Sequence, residues 1–193
     1  MAHKFDPKNK EKLNSKERRE KLPPEIILQK AGLQSGDYMI DIGCGVGYFS
    51  IPAAEMVKAK GKVYALDTSE EMTEFLTAEL NTSGIENVEV LKSTEYGFPL
   101  AGETGDMLLM SMVLHEVENK KRFLQEARRT LKPSGKILII EWDKKETEQG
   151  PPLKHRLDTR ETKSYLLQAG FNNPETIELH EVSNTFYIVT AKA

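Results

Sequence analysis

Four residues at every second position open the case for chemistry: Asp41-x-Gly43-x-Gly45-x-Gly47. They follow the apolar run Tyr38-Met39-Ile40, and Phe49 through Val57 then reads as a helix, so the stretch is a strand, a glycine turn and a helix start. Gly43 can take a turn conformation closed to residues with a Cβ. Gly45 leaves room for a ligand against the backbone, and Gly47 lets the helix approach the strand. The helix start is expected to offer N–H groups to a polar ligand. A dinucleotide fingerprint would need glycine at position 48, which is Tyr48. Asp67 stands 20 residues past Gly47, at the end of the strand Lys62–Asp67. It reads as a ligand-holding carboxylate or as a helix-capping acid, with Thr68 or Ser69 as the cap itself. His115 and Glu116 follow a buried-looking run, Asp106 to Met112. An imidazole there could take a proton from an acidic nucleophile, or it could merely order its loop.

The glycine pattern resembles the first motif of class I S-adenosylmethionine-dependent methyltransferases. A second segment, Arg129-x-Leu131-Lys132-Pro133-x-Gly135-Lys136-x-Leu138-Ile139, resembles the helix-to-strand turn of the same enzymes. The resemblance covers about residues 25 to 193, and its nearest look is the family that includes quinone-ring methyltransferases. It implies S-adenosylmethionine as cofactor and S-adenosylhomocysteine as product. The glycine turn, Cys44 included, would hold the methionine part, and Asp41 would position its amino group. Asp67 would hold the ribose hydroxyls, with Thr68 beside it. Met72 fits an adenine wall or the core equally well. Where the family often has Asp-Ala after the third strand, this chain has Ser93-Thr94, so the adenine contact falls either to a hydroxyl or backbone group of that pair or to Glu95 as substitute acceptor. Ser111 falls near the end of the fourth strand, where the resembled fold faces the transferred methyl. His115, Glu116, Trp142, His155 and Arg156 are the expected substrate-side residues, Arg156 for an acidic group; the loop carrying the last two reads equally as a solvated surface loop.

Alternating strands and helices predict an α/β domain, a doubly wound, mostly parallel seven-stranded sheet with an antiparallel C-terminal strand pair and helices on both faces. The strands are expected over 38–42, 62–67, 86–92, 106–112 and 136–142, with a closing pair at 176–182 and 186–191 joined by Ser183-Asn184. Helices are expected over 25–31, 49–57, about 119–131 and 159–169, with 132–135 as a turn. Residues 1–24 form a polar arm before the 25–193 domain. It is either a solvated, partly helical extension or a flap over the site anchored by Phe5 and Leu13.

At 193 residues, one core is expected. The net charge of -3 gives no pull toward nucleic acid, and no apolar run suits membrane insertion. One cysteine excludes an internal disulfide framework and an all-cysteine metal site, and no metal is expected. The absence of an apolar leader points to the cytoplasm. The expected activity is methyl transfer to a small-molecule nucleophile, by a monomer or homodimer. A non-catalytic S-adenosylmethionine-binding module and a dinucleotide-dependent oxidoreductase remain the alternatives.

Overall fold

A computed structural model of the chain describes residues 15–147 and 149–193. Phe5 and Leu13, the expected anchors of a flap, lie outside the described residues. The described part begins with α1 (Lys16–Lys21), capped by the Ser15 hydroxyl, which accepts from the Arg18 N–H. Pro24 then opens α2 (Pro24–Lys30) from its first turn, where a missing N–H costs nothing.

The sheet has seven strands: β1 (Tyr38–Ile42), β2 (Lys62–Asp67), β3 (Val88–Lys92), β4 (Gly105–Ser111), β5 (Leu131–Trp142), β6 (Asn172–Thr176) and β7 (Phe186–Lys192). Their spatial order is β3-β2-β1-β4-β5-β7-β6. The first five are parallel, and β7 runs antiparallel to both β5 and β6. The expected fold class is therefore the observed one. Between them run α3 (Ser50–Val57), α4 (Glu70–Ser83), α5 (Lys120–Thr130) and α6 (Thr159–Gln168). β1 and β4 lie at the centre, and Met39, Ile40, Leu108 and Leu109 are fully buried there, as strands covered on both faces require. The two large core clusters divide along the strand alternation. Ile40, Leu108 and Ile139 pack with α5 and α6, while Met39, Leu109 and Ile140 pack with α2 and α3.

Two segments depart from expectation. Leu131 to Gly135 is not a free turn: β5 begins at Leu131, pairs Gly105 with Leu131, and resumes at Met107–Lys136 after a register shift. The closing pair also moves. β6 is Asn172–Thr176, and 177–185 leaves the sheet. The alternation of Ile177, Leu179 and Val182 imitates a strand, but these side chains pack onto the cluster beneath α2 and α3. The Ser183 N–H donates to the Lys21 carbonyl, so this segment clasps the end of α1.

Candidate cofactor and substrate site

The strand order reverses between β1 and β4, and the site lies at their carboxyl ends, where a doubly wound sheet leaves a crevice. A cavity of about 1330 Å³ opens there. Its floor is the glycine turn. Gly43 sits at φ +71°, and a Cβ on it would meet Val113 Cγ2 at 2.4 Å. The turn N–H groups are already used: Gly43 and Cys44 donate to the Leu66 carbonyl, Gly45 to Asp67 Oδ2 at 2.9 Å, and Gly47 to the Cys44 carbonyl. The turn supplies a side-chain-free surface, while its donors hold β1 to β2.

Two carboxylates flank that surface. Asp67, at the end of β2, accepts from the Gly45 and Ser69 N–H groups, which fixes its plane. Asp41, in β1, is 2% exposed and accepts from the Ser50 hydroxyl at 2.6 Å. Burial pushes its pKa up to about 7, against the pull of the Ser50 hydrogen bond and the Arg18 charge; Asp67 adds to the rise.

Thr68, Met72, Ser93, Thr94, Glu95 and Ser111 also line the cavity, as do Cys44 and Gly45. Ser111 Oγ is a buried polar atom with no hydrogen-bond partner, in a residue that lines the cavity. An orphaned hydroxyl at such a place calls for a polar ligand group. Met112, which follows it, holds φ +61°, an uncommon backbone for a side-chain-bearing residue, and donates its N–H to the Ile140 carbonyl at 2.8 Å.

His115, Glu116 and Trp142 line the same cavity. His115 sits in a 3₁₀ turn, Leu114–Glu116. Its N–H donates to Glu141 Oε1 at 3.1 Å, and its Nδ1 lies 2.8 Å from Oε2 of the same carboxylate. Glu141 is 1% exposed, so an acid of β5 holds both backbone and ring of the histidine. Burial disfavours the imidazolium, but the hydrogen bond and charge of Glu141, with Glu116, outweigh it and raise the His115 pKa. Trp142 packs edge-on against Phe186 at 4.7 Å between ring centres.

Three expected site residues do not line the cavity. Gly47 serves packing: a Cβ there would meet Leu76 Cδ1 at 2.4 Å, in α4. His155 sits in the 3₁₀ turn Leu153–His155, away from the lining. Arg156, expected to hold an acidic substrate group, has its side chain spent inside the protein. Its Nε donates to the Pro151 carbonyl, Nη1 to those of Asp143 and Lys145, and Nη2 to the Gln149 carbonyl and Thr147 Oγ1. That accounts for all five guanidinium N–H donors. Arg156 is instead the internal frame of the 143–151 loop, whose Thr147, Gln149 and Gly150 line the cavity.

Sequence reasoning missed other lining residues. Phe186 reaches the site because β7 pairs Phe186 with Trp142. Ser15, Glu17, Arg18 and Lys21 reach it from α1. The flap alternative set the arm over the site but named only Phe5 and Leu13 as its anchors, and the charge of the arm reads equally as solvated surface.

Sheet order, glycine turn and paired carboxylates define the class, a Rossmann-like domain built for an adenosyl ligand at the β1/β4 crevice. Comparison with known proteins gives the family. Residues 33–181 match the family described as Methyltransferase domain. A ubiquinone/menaquinone biosynthesis C-methyltransferase from Marinomonas sp. is 27% identical over 122 residues, 63% of this chain and 49% of that protein. A demethylmenaquinone methyltransferase from Geobacillus stearothermophilus is 28% identical over 60% of this chain and 49% of its own. The chain spans about half the length of these curated relatives. A crystal structure of a SAM-dependent methyltransferase from Aquifex aeolicus superposes with a TM-score of 0.91 at 37% identity, covering 97% of this chain and 98% of that one. The chain belongs to the S-adenosylmethionine-dependent methyltransferases. Its cofactor is S-adenosylmethionine, and the residues fit it: two fixed carboxylates, a bare glycine surface, the orphaned Ser111 hydroxyl and the apolar Met72.

Proposed function

We propose that this chain methylates a nucleophile on a small molecule, with Asp41, Gly43, Cys44, Gly45, Asp67, Thr68, Met72, Ser93, Thr94, Glu95 and Ser111 as the cofactor side of the site. The observation that carries the reading is one cavity lined both by these residues and by His115, Glu116, Trp142 and Phe186. Its volume of about 1330 Å³ exceeds the roughly 300–1,000 Å³ of an ordinary ligand pocket, which suits a cofactor and an acceptor together.

The cofactor supplies a methyl group activated on a sulfonium. The protein's part is alignment and exclusion of water. Asp67 accepts the ribose hydroxyls, and Asp41 faces the amino-acid end. Trp142 and Phe186 offer an aromatic wall to the acceptor. His115, held through Nδ1 by Glu141, keeps Nε2 for the proton of an acidic nucleophile. Quinone-ring methylation, the activity named for two of the relatives, is one member of this class; an aromatic wall and a nearby base suit a phenolic or enolic acceptor.

The first test is titration calorimetry with S-adenosylmethionine, S-adenosylhomocysteine and NAD. Binding of the first two alone supports the reading, and a folded sample that binds neither ends it. Asp67→Ala is expected to weaken S-adenosylmethionine binding by about 1–3 kcal/mol, the worth of a charge-assisted hydrogen bond. Unchanged affinity in the folded variant would remove the ribose assignment. Release of S-adenosylhomocysteine in the presence of phenolic acceptors then distinguishes an enzyme from a binding module.

A further inference from the structure

Glu141 is a buried carboxylate at the end of β5 whose hydrogen bonds converge on one neighbour. Among the described residues, both bonds that it accepts come from His115, the backbone N–H on Oε1 at 3.1 Å and ring Nδ1 on Oε2 at 2.8 Å. The two side chains are 1% and 4% exposed. A carboxylate only accepts, so Nδ1 carries the ring hydrogen and Nε2 is the bare nitrogen. Three other groups bear on the pair. Glu116 Oε1, on the same turn, lies 3.9 Å from Nε2. Lys120 of α5, whose ammonium donates to the Val117 carbonyl, opposes a charge on the ring. Tyr187 of β7 pairs opposite Glu141 in the sheet, and its hydroxyl is hydrogen-bonded to Thr162 at 2.7 Å.

Holding a turn does not require a buried charge. The same strand holds the Met112 N–H with a neutral group, the Ile140 carbonyl, at 2.8 Å. Burying a carboxylate is unfavourable unless a positive group answers it. Methylation of a neutral hydroxyl creates such a group. The acceptor oxygen bonds to the methyl carbon, the electron pair of the breaking C–S bond stays on sulfur, and the O–H proton passes to Nε2. The positive charge of the sulfonium thereby reappears on the His115 ring, whose Nδ1 is 2.8 Å from Glu141. Burial opposes that charge, and Glu141, seconded by Glu116, outweighs it.

We propose that Glu141 is a positioning residue of the reaction: it fixes which nitrogen of His115 is bare and answers the charge that His115 gains, so the site serves hydroxyl acceptors that do not ionise unaided. The inference rests on His115 as the proton acceptor of the reading above. Acceptors that arrive already ionised draw nothing from the pair.

The first measurement needs no acceptor. Nitrogen NMR of the full chain with isotope-labelled histidine reads the tautomer and titration of each ring, and His115→Gln assigns the signal. Wild type is expected to show the Nδ1–H tautomer once neutral, and Glu141→Gln to lower the His115 titration midpoint. The second compares methylation of phenol with that of para-nitrophenol, which ionises unaided in mildly alkaline buffer. Glu141→Gln is expected to slow phenol about a hundredfold and para-nitrophenol less than about threefold, within the range that a general base contributes. Glu141→Asp keeps the charge and is expected to recover part of the loss. An Nε2–H tautomer in wild type overturns the proposal, as does a titration that Glu141→Gln leaves unmoved. So does an equal loss for both phenols, which would make Glu141 a holder of its turn and nothing more. If neither phenol is methylated, the NMR result decides; if Glu141→Gln does not fold, the wild-type tautomer decides. A His115→Gln variant that methylates phenol at the wild-type rate removes the base and the proposal, while S-adenosylhomocysteine binding by calorimetry tells whether the cofactor site stands.

Discussion

Asp41 shows how a single residue can trade stability for binding. Its folded pKa of about 7 lies above the ordinary 3.8, so the native state holds a proton that the unfolded chain releases. The resulting penalty grows as pH rises from about 4 and is complete above about 7. Asp41→Asn keeps an acceptor for Ser50 without the buried charge. It is expected to raise the stability of the ligand-free chain at pH 8 by roughly 2–4 kcal/mol, with the gain shrinking toward pH 4. Denaturant unfolding at pH 8 and pH 5 checks this, and an equal difference at both values would contradict the assigned pKa. The same variant is expected to bind S-adenosylmethionine more weakly, because the ammonium loses its counter-charge.

At the scale of elements, the 143–151 loop depends on one side chain. Arg156 is 5% exposed, satisfies carbonyls at 143, 145, 149 and 151, and sits 5.3 Å from the Trp142 ring. Gly150 packs so tightly that a Cβ on it would come within 2.9 Å of that ring. Arg156→Ala strands several carbonyls at once and is expected to cost about 2–4 kcal/mol. It should also open the loop to trypsin at Lys144 and Lys145. Arg156→Lys is not expected to rescue the loop, since three donors on a point charge cannot reproduce five in a plane. A variant that loses only affinity for an acidic acceptor, with loop and stability intact, would restore the substrate role that the sequence suggested. The clasp of 177–185 on α1 belongs to the same scale. It ties the last strands to the arm that carries Arg18.

For the molecule as a whole, the cavity joins groups from α1, β1, β2, β4, β5 and β7, so a ligand there bridges elements far apart in the chain. S-adenosylhomocysteine at a hundred times its Kd is expected to stabilise the fold by about 2.7 kcal/mol and to raise Tm by about 5–10 °C. NAD at the same concentration should leave Tm where it was. A scan by differential fluorimetry reads both, and a shift with NAD would reopen the oxidoreductase alternative. No helix among the described residues is long and apolar enough to cross a membrane.

Local signals determined much of this. Asp41-x-Gly43-x-Gly45-x-Gly47 and the carboxylate at Asp67 announced the crevice, because a tight turn between strand and helix tolerates few residue types. The alternation of strands and helices announced the parallel sheet, and the near-continuous apolar run from Asp106 to Met112 announced a central strand, because a strand covered on both faces is apolar nearly throughout. Alternation at Ile177, Leu179 and Val182 misled, since a half-buried strand and a segment packed over a core edge share one pattern. Whether Arg156 faced a substrate or its own loop depended on carbonyls up to thirteen residues away. Placing Arg18 by Tyr48, Phe186 by Trp142 and Glu141 under His115 required contacts 26 to 44 residues apart in sequence. The sequence declared which groups were present and where the chain turns. Tertiary structure decided which charges meet, because burial and partner geometry, properties of the assembled sheet, fix what an ionisable side chain can do.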